Sequence, residues 1–203
     1  MDVDKDKYKD EYKDRLVITG AWVQAGGNII SAIGSTRAYI GEENVEDGLI
    51  IVGESLQAIG NLLPTFVQND KPLAKAGNQI QALGNTSDVV GTALVVMEKD
   101  TEKGTEKEND LLLIAGNSLQ SLGALVSALD EIKDVGSIQK LEIIGNLLQT
   151  IGAGLQAIQA ILNYKMTEDE EEIQLIGVIG GWVQATGTVI AAIGETEEAI
   201  VED

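Results

Sequence analysis

The chain has 203 residues, a formal net charge of −19, 44% apolar residues and only 3% aromatic ones, with no Cys and no His. That length holds one domain with a core, or two small ones. The charge excludes nucleic acid as a partner and opposes docking on anionic lipid. Missing Cys and His exclude disulfides, thiol chemistry, zinc sites and histidine acid–base catalysis. With so few aromatics, the core is expected to be aliphatic, built from Leu, Ile, Val and Ala. Self-repulsion is expected to keep the chain soluble.

The chain opens Met-Asp-Val-Asp-Lys-Asp-Lys-Tyr, with no apolar stretch behind it. This is not a secretory signal, so a cytoplasmic location is expected, with release by a non-classical route left open. Asp2, Asp4 and Asp6 alternate as in a calcium loop, but Lys7 stands where Gly is required and no bidentate Glu follows. They read as a solvated tail. Apolar periodicity then predicts six helices, over 8–40, 46–67, 71–97, 106–132, 137–163 and 168–201. Pro64 is expected to kink or end the second helix, whereas Pro72 lies early enough in the third to be tolerated. Thr105 with Glu108, and Thr167 with Glu170, have capping-box spacing. The polar stretch 98–110 divides a single helical-repeat domain, 1–203, into two pseudo-equivalent halves, 1–98 and 106–203.

One pattern recurs in every helix: Gly-x-x-φ-Gln-small-x-Gly, with φ aliphatic. The first glycines are Gly20, Gly53, Gly77, Gly116, Gly145 and Gly180, and the second are Gly27, Gly60, Gly84, Gly123, Gly152 and Gly187. Gln24, Gln57, Gln81, Gln120, Gln149 and Gln184 follow the first Gly by four residues. With Gly at heptad position a, position d is aliphatic throughout, as at Val23, Leu56 and Leu148. A helix-interior Gly costs about 1 kcal/mol against Ala. Twelve of them cost on the order of 10 kcal/mol, as much as the stability of a whole domain. Close antiparallel helix packing is the gain that offsets it. The Gln at position e either forms a polar ladder that fixes register or lies half-solvated on the flank. Gly20–Thr36 and Gly180–Thr196 agree at 11 of 17 positions. The first and last helices are therefore expected in equivalent terminal or neighbouring places. Trp22 and Trp182 read as core anchors, or else as a paired aromatic contact for a partner.

No catalytic, cofactor-binding or metal site emerges. There is no nucleophile elbow, no phosphate loop and no dinucleotide fingerprint, because the glycines fall mid-helix. The carboxylates are expected in connectors and at helix ends, not buried. Leu16–Thr36, Leu111–Leu129, Ile143–Tyr164 and Ile173–Gly194 are uncharged over membrane-like lengths. Their Gln, Asn, Ser and Thr leave hydrophobicity marginal, and no Lys/Arg bias orients a span.

The repeated Gly-x-x-φ-Gln-Ala-φ-Gly and the ending Trp-Val-Gln-Ala-Thr-Gly-Thr-Val-Ile-Ala-Ala-Ile-Gly-Glu-Thr resemble the glycine-rich, all-helical proteins of unknown function in spore-forming Gram-positive bacteria. The resemblance implies no activity and no site. The expected fold is all-α: six antiparallel helices with Gly-lined heptad seams, as an up-and-down bundle or a short array of hairpins. The expected function is non-enzymatic. It is a structural or interaction module whose partner is an unidentified protein or a second copy of the chain. The alternative is a soluble precursor of a membrane-inserting or pore-forming protein, helped by acidification.

Overall fold

The computed structural model describes residues 3–41, 45–99, 106–134, 139–165 and 170–202. Six helices run as α1 (Val3–Tyr39), α2 (Glu46–Thr65), α3 (Pro72–Lys99), α4 (Glu106–Glu131), α5 (Gln139–Tyr164) and α6 (Glu170–Glu202). Among the described residues there is no strand. The fold is the all-α one expected. Its helix ends lie within two residues of the predicted ones, except that α1 begins at Val3. Thr105, Thr167 and Asp2, and the side chains of Asp4, Asp6 and Glu108, lie outside the described residues, so the two capping boxes and the N-terminal tail stay as expectations.

Local signals account for the ends that can be seen. Helix α2 stops one residue after Pro64, which supplies no N–H to the helix ladder. Pro72 is the first residue of α3, where that N–H is not needed. The Asp130 carboxylate, from the far end of α4, accepts the backbone N–H groups of Leu73 at 3.0 Å and Ala74 at 2.9 Å. One helix thereby caps the start of another. Gly41 ends α1 in the left-handed region, at φ 75°.

The strongest packing pairs α1 with α2, α3 with α4, and α5 with α6. Within each hairpin the motif glycines meet face to face: Gly20 with Gly60 and Gly27 with Gly53, Gly77 with Gly123 and Gly84 with Gly116, Gly145 with Gly187 and Gly152 with Gly180. A Cβ on Gly20, Gly27, Gly84, Gly123, Gly145, Gly152 or Gly187 would sit 2.6 Å from the carbonyl oxygen of its partner glycine. That is well inside van der Waals contact, so the helices approach backbone to backbone. The hairpins then join through α2·α3 and α4·α5, and α6 returns to α1. The result is a closed six-helix ring in which the backbone of each helix packs along its two neighbours.

The ring corrects the expected core. Among the described residues the buried apolar side chains are Ala25, Ala32, Ala74, Ala82, Ala124, Ala128, Ala153, Ala157, Ala160, Ala185, Ala192 and two larger ones, Pro64 and Ile173. The largest fully buried side chains are Gln57, Gln120, Gln149, Glu142, Asn61, Asn85 and Thr188. The bulky aliphatics face out: Ile59 is 53% exposed, Leu83 63%, Leu122 50% and Ile151 56%. Position d remains half-buried between helices, as at Val23 and Leu148. The physical reason is that the Gly contact turns the e-position Gln toward the ring axis and the g-position bulk away from it. The expected placement of carboxylates is corrected too. Glu54 and Asp88 lie mid-helix and buried, 7% and 4% exposed, and Glu142 is 1% exposed.

The glycine contacts make a sharp distinction between positions. Gly123→Leu and Gly152→Leu should each lower stability strongly despite better helix propensity, because both sites are closed by backbone. Gly26→Ala, with nothing within 4 Å of the added Cβ, should stabilise by about 0.5–1 kcal/mol. Chemical or thermal denaturation followed by circular dichroism reads both; a Gly123→Leu protein more stable than the parent would rule out the contact.

Candidate functional site: the polar axis of the ring

The motif glutamines fill the waist of the ring. Gln24 of α1 donates to Gln81 of α3 at 3.2 Å and to Gln149 of α5 at 2.9 Å. Gln184 of α6 donates to Gln120 of α4 at 2.7 Å. Gln120 donates in turn to Asp88 at 2.6 Å and Glu54 at 3.3 Å, and Gln57 of α2 donates to Glu54 at 2.8 Å. The odd-numbered helices thus meet in one layer of amides. The even-numbered ones meet in a second, joined through Glu54. This belt crosses the axis from one hairpin to another, so it sets the register of the hairpins against each other.

Glu54 is the hub. Its carboxylate accepts from Ser31 of α1 at 3.0 Å, Gln57 of α2, Asn85 of α3 at 2.9 Å and Gln120 of α4. Asn85 also holds Gln57 at 2.9 Å and receives Asn61 at 3.2 Å. Four donors on one carboxylate offset part of the lost hydration, and burial still holds the Glu54 pKa above its ordinary value.

Two cavities lie on the axis, one on each side of the belt, and each is lined by all six helices. The one toward the start of α3 is small, about 40 Å³, and its walls include Gln24, Asn61, Asn78, Ser127, Asn146, Gln149 and the acids Glu131, Glu142 and Glu195. Glu195 also lines an outer mouth of about 100 Å³ with Lys13, Asp70, Lys71 and Glu198. The opposite cavity is larger, about 270 Å³, and its walls include Glu54, Asp88, Asp110, Asn117, Gln156, Gln159 and Asn163. No basic residue lines it among the described residues. The molecule therefore has a polar, acid-lined axis interrupted at its waist by amides.

The mouth holds the densest charge. Lys71 Nζ lies 3.3 Å from Glu198, 3.4 Å from Glu131 and 4.0 Å from Glu142. Burial alone would lower the Lys71 pKa, but Glu131, Glu195, Glu142 and Glu198 together raise it above its ordinary value. Glu142 is pushed up to about 10, by burial first and then by the charges of Glu195 and Glu131, with Lys71 opposing. Lys13 pairs with Asp70 at 2.8 Å, which raises the lysine and lowers the aspartate.

The two tryptophans are not core anchors. Trp22 and Trp182 are 44% and 42% exposed on the outer face of the α1–α6 seam. Trp22 Nε1 donates to Thr196 Oγ1 at 3.1 Å, and Trp182 Nε1 donates to Thr36 Oγ1 at 3.0 Å. The two bonds are reciprocal, and the first and last helices are neighbours in the ring. Of the residues singled out from sequence, the glycines line the hairpin contacts and five of the six glutamines are buried at the axis, with Gln24 half-buried.

The chain belongs to the DUF6944 family, a family of unknown function. The family's model matches residues 15–192. No curated protein and no solved structure matches the chain.

Sequence reasoning missed the axial acids. A signal for two of them exists: Glu54 is the only charge between residues 48 and 69, and Asp88 the only one between 76 and 97. A lone acid in a long uncharged helix asks for a buried partner. At the mouth, the raised Glu142 pKa has a stability consequence. The folded state holds a proton there that the unfolded state releases above the ordinary carboxylate range, so this group's contribution to stability falls as pH rises from about 4.5 to about 10. Glu142→Gln removes the titration. Its Tm relative to the parent should rise steadily between pH 5 and pH 9, a trend that parallel melts would show to be absent if Glu142 ionised normally.

Proposed function

We propose that this protein is a non-enzymatic, lipid-embedded helical ring that encloses a polar axis. The observation that carries the reading is the distribution of side chains: amides and carboxylates at the centre, large aliphatics outside. In water this arrangement forfeits the main driving force of folding, which comes from removing apolar surface from solvent. In lipid it is the arrangement expected, because hydrocarbon can face the bulky aliphatics while polar groups find partners inside.

Dimensions support it. Outside the ring, charge is absent over a band in every helix: 16–36, 48–69, 76–97, 111–129, 143–164 and 173–194, apart from Glu54 and Asp88, which face inward. At 1.5 Å per residue, bands of about 20 residues are about 30 Å tall, the thickness of a bilayer's hydrocarbon core. Three helices, α1, α4 and α6, are long and apolar enough to cross a membrane on their own composition. The others carry more polar side chains, of which Gln57, Gln81, Asn85 and Gln149 are buried inside the ring, while Gln79 and Thr86 of α3 face out. The hairpin contacts are of the small-residue kind that holds helices together where no hydrophobic force acts between them. This reading replaces the soluble module favoured by charge and composition, since the carboxylates outside the bands sit at the two ends of the ring.

Flotation with neutral phosphatidylcholine vesicles at pH 7 and pH 5 tests it. The protein should rise with the vesicles at both. Because Trp22 and Trp182 are the only tryptophans and both lie on the outer face, brominated acyl chains should quench the intrinsic fluorescence. Protein that stays at the bottom of the gradient at both pH values, with unquenched tryptophan, would leave the self-associating module as the better reading.

A further inference from the structure

We propose that the mouth of the axis holds a divalent cation, calcium by the chemistry of its donors, between Glu142 of α5 and Glu195 and Glu198 of α6. One carboxylate oxygen from each converges within 4.8 Å of the others. Oxygens no farther apart than that can reach a common ion, since calcium holds its ligands at about 2.3–2.6 Å. An acidic cluster alone would not carry the assignment. The second observation is Glu142 itself: it is 1% exposed, lines the inner cavity, and neither of its oxygens has a hydrogen-bond donor. The two acids buried beside the opposite cavity differ. Glu54 has four donors and Asp88 has Gln120.

The charge count points the same way. Glu131, Glu142, Glu195 and Glu198 set four carboxyl groups around the single ammonium of Lys71, more than one lysine can neutralise. The nearby bases are already matched, Lys13 by Asp70 and Lys133 by Asp130. A buried excess of that size is neutralised either by protons or by a metal ion. The donors are all oxygen and the chain has neither His nor Cys, which selects a hard cation over zinc or copper. Calcium tolerates the irregular, carboxylate-rich set better than magnesium, which demands an octahedron and keeps its waters.

Room and access are both present. The inner cavity, about 40 Å³, takes an ion with a water, and Asn146 and Gln149 add neutral oxygens to its wall. Glu195 lies on both the inner cavity and the outer mouth, so the ion has an entry path. Lys71 is the internal competitor: its ammonium rests against Glu131, Glu142 and Glu198. An arriving cation leaves it with Glu131. The protons that the cluster holds leave on binding, so affinity rises with pH. The site stands at the neck between solvent and the inner cavity, where a bound ion ties α5 to α6.

Calorimetric titration with CaCl2 tests this on the full chain in detergent micelles, after chelator treatment and at constant ionic strength, with Tm read alongside. Expected are saturable heat, a raised Tm, and weakening of at least about tenfold in Glu142→Gln and in Glu198→Gln. Lys71→Met should tighten binding, and Glu172→Gln, at the other end of the ring, should change nothing. If Glu142→Gln fails to fold, Glu198→Gln, at the cavity rim, carries the comparison. No heat and no Tm shift in the parent at millimolar calcium, or parent-like affinity in the folded carboxylate variants, would overturn the site. The measurement contains no bilayer, so its result is independent of whether the ring lies in lipid.

Discussion

The contact between facing glycines is the constraint on which the rest of the structure depends. Six reciprocal pairs bring the helices of each hairpin together until the carbonyl of one nearly touches the Cα of the other. A helix pair that close has no room between its axes for Leu or Ile, so the bulky residues of the motif must go elsewhere. Position d wedges into the hairpin seam half-buried, and position g turns out. What remains for the inside of the ring is small or polar: Ala, Ser, Asn and the e-position Gln. The inversion of the molecule thus follows from the size of one side chain.

Closure converts that inversion into a site. An open row of hairpins would leave the glutamines along one wetted groove, each free to bond water. Bent into a ring, the same glutamines face one another across an axis. Gln24, Gln120 and Gln184 bond across hairpins, and Glu54 collects donors from four helices. Buried networks of this kind tolerate no half measures, since each amide left without a partner costs about 1–3 kcal/mol. The belt therefore fixes how the hairpins sit against each other, which contacts between smooth, small-residue faces would leave loosely determined.

The helices, their ends and the closeness of their packing were legible in the sequence. The heptad Gly needs only the geometry of a helix to be interpreted, and Pro64 and Pro72 act locally. The direction in which each face points was not legible. A period identifies a stripe, but it does not say whether the stripe meets lipid, water or another helix. The assumption that Leu and Ile belong inside holds when water is outside. Here it led to an expected aliphatic core, whereas Ile59 and Leu122 face out and Gln57 and Gln120, open between a polar ladder and a half-solvated flank, are buried at the axis. The three-hairpin division was hidden for a different reason. The long polar stretch near residue 100 suggests a boundary, yet it joins α3 to α4, two of the most intimately packed helices. Loop length and the strength of the packing that a loop connects are physically independent.

The seam between α6 and α1 shows how the ring is shut. At every other seam a connector joins the two helices and holds them near each other. Here the partners lie at opposite ends of the sequence, and the chain provides no such tether. It is also the seam with the two tryptophans, and the reason is visible in the bonding. Each indole N–H reaches across to a threonine hydroxyl whose own proton is committed, Thr196 to the Ala192 carbonyl at 2.6 Å and Thr36 to the Ala32 carbonyl at 2.7 Å. The hydroxyl is left with acceptor capacity only, and the indole is a donor only, so the pairing has one sense. In the lipid-embedded ring proposed above, an unmade indole bond finds no water to replace it. Separation of α1 from α6 would strand two donors at once. The likeness between Gly20–Thr36 and Gly180–Thr196 is then a requirement of closure: each helix carries both the Trp that reaches and the Thr that receives, and the two ends of the chain lock only with each other.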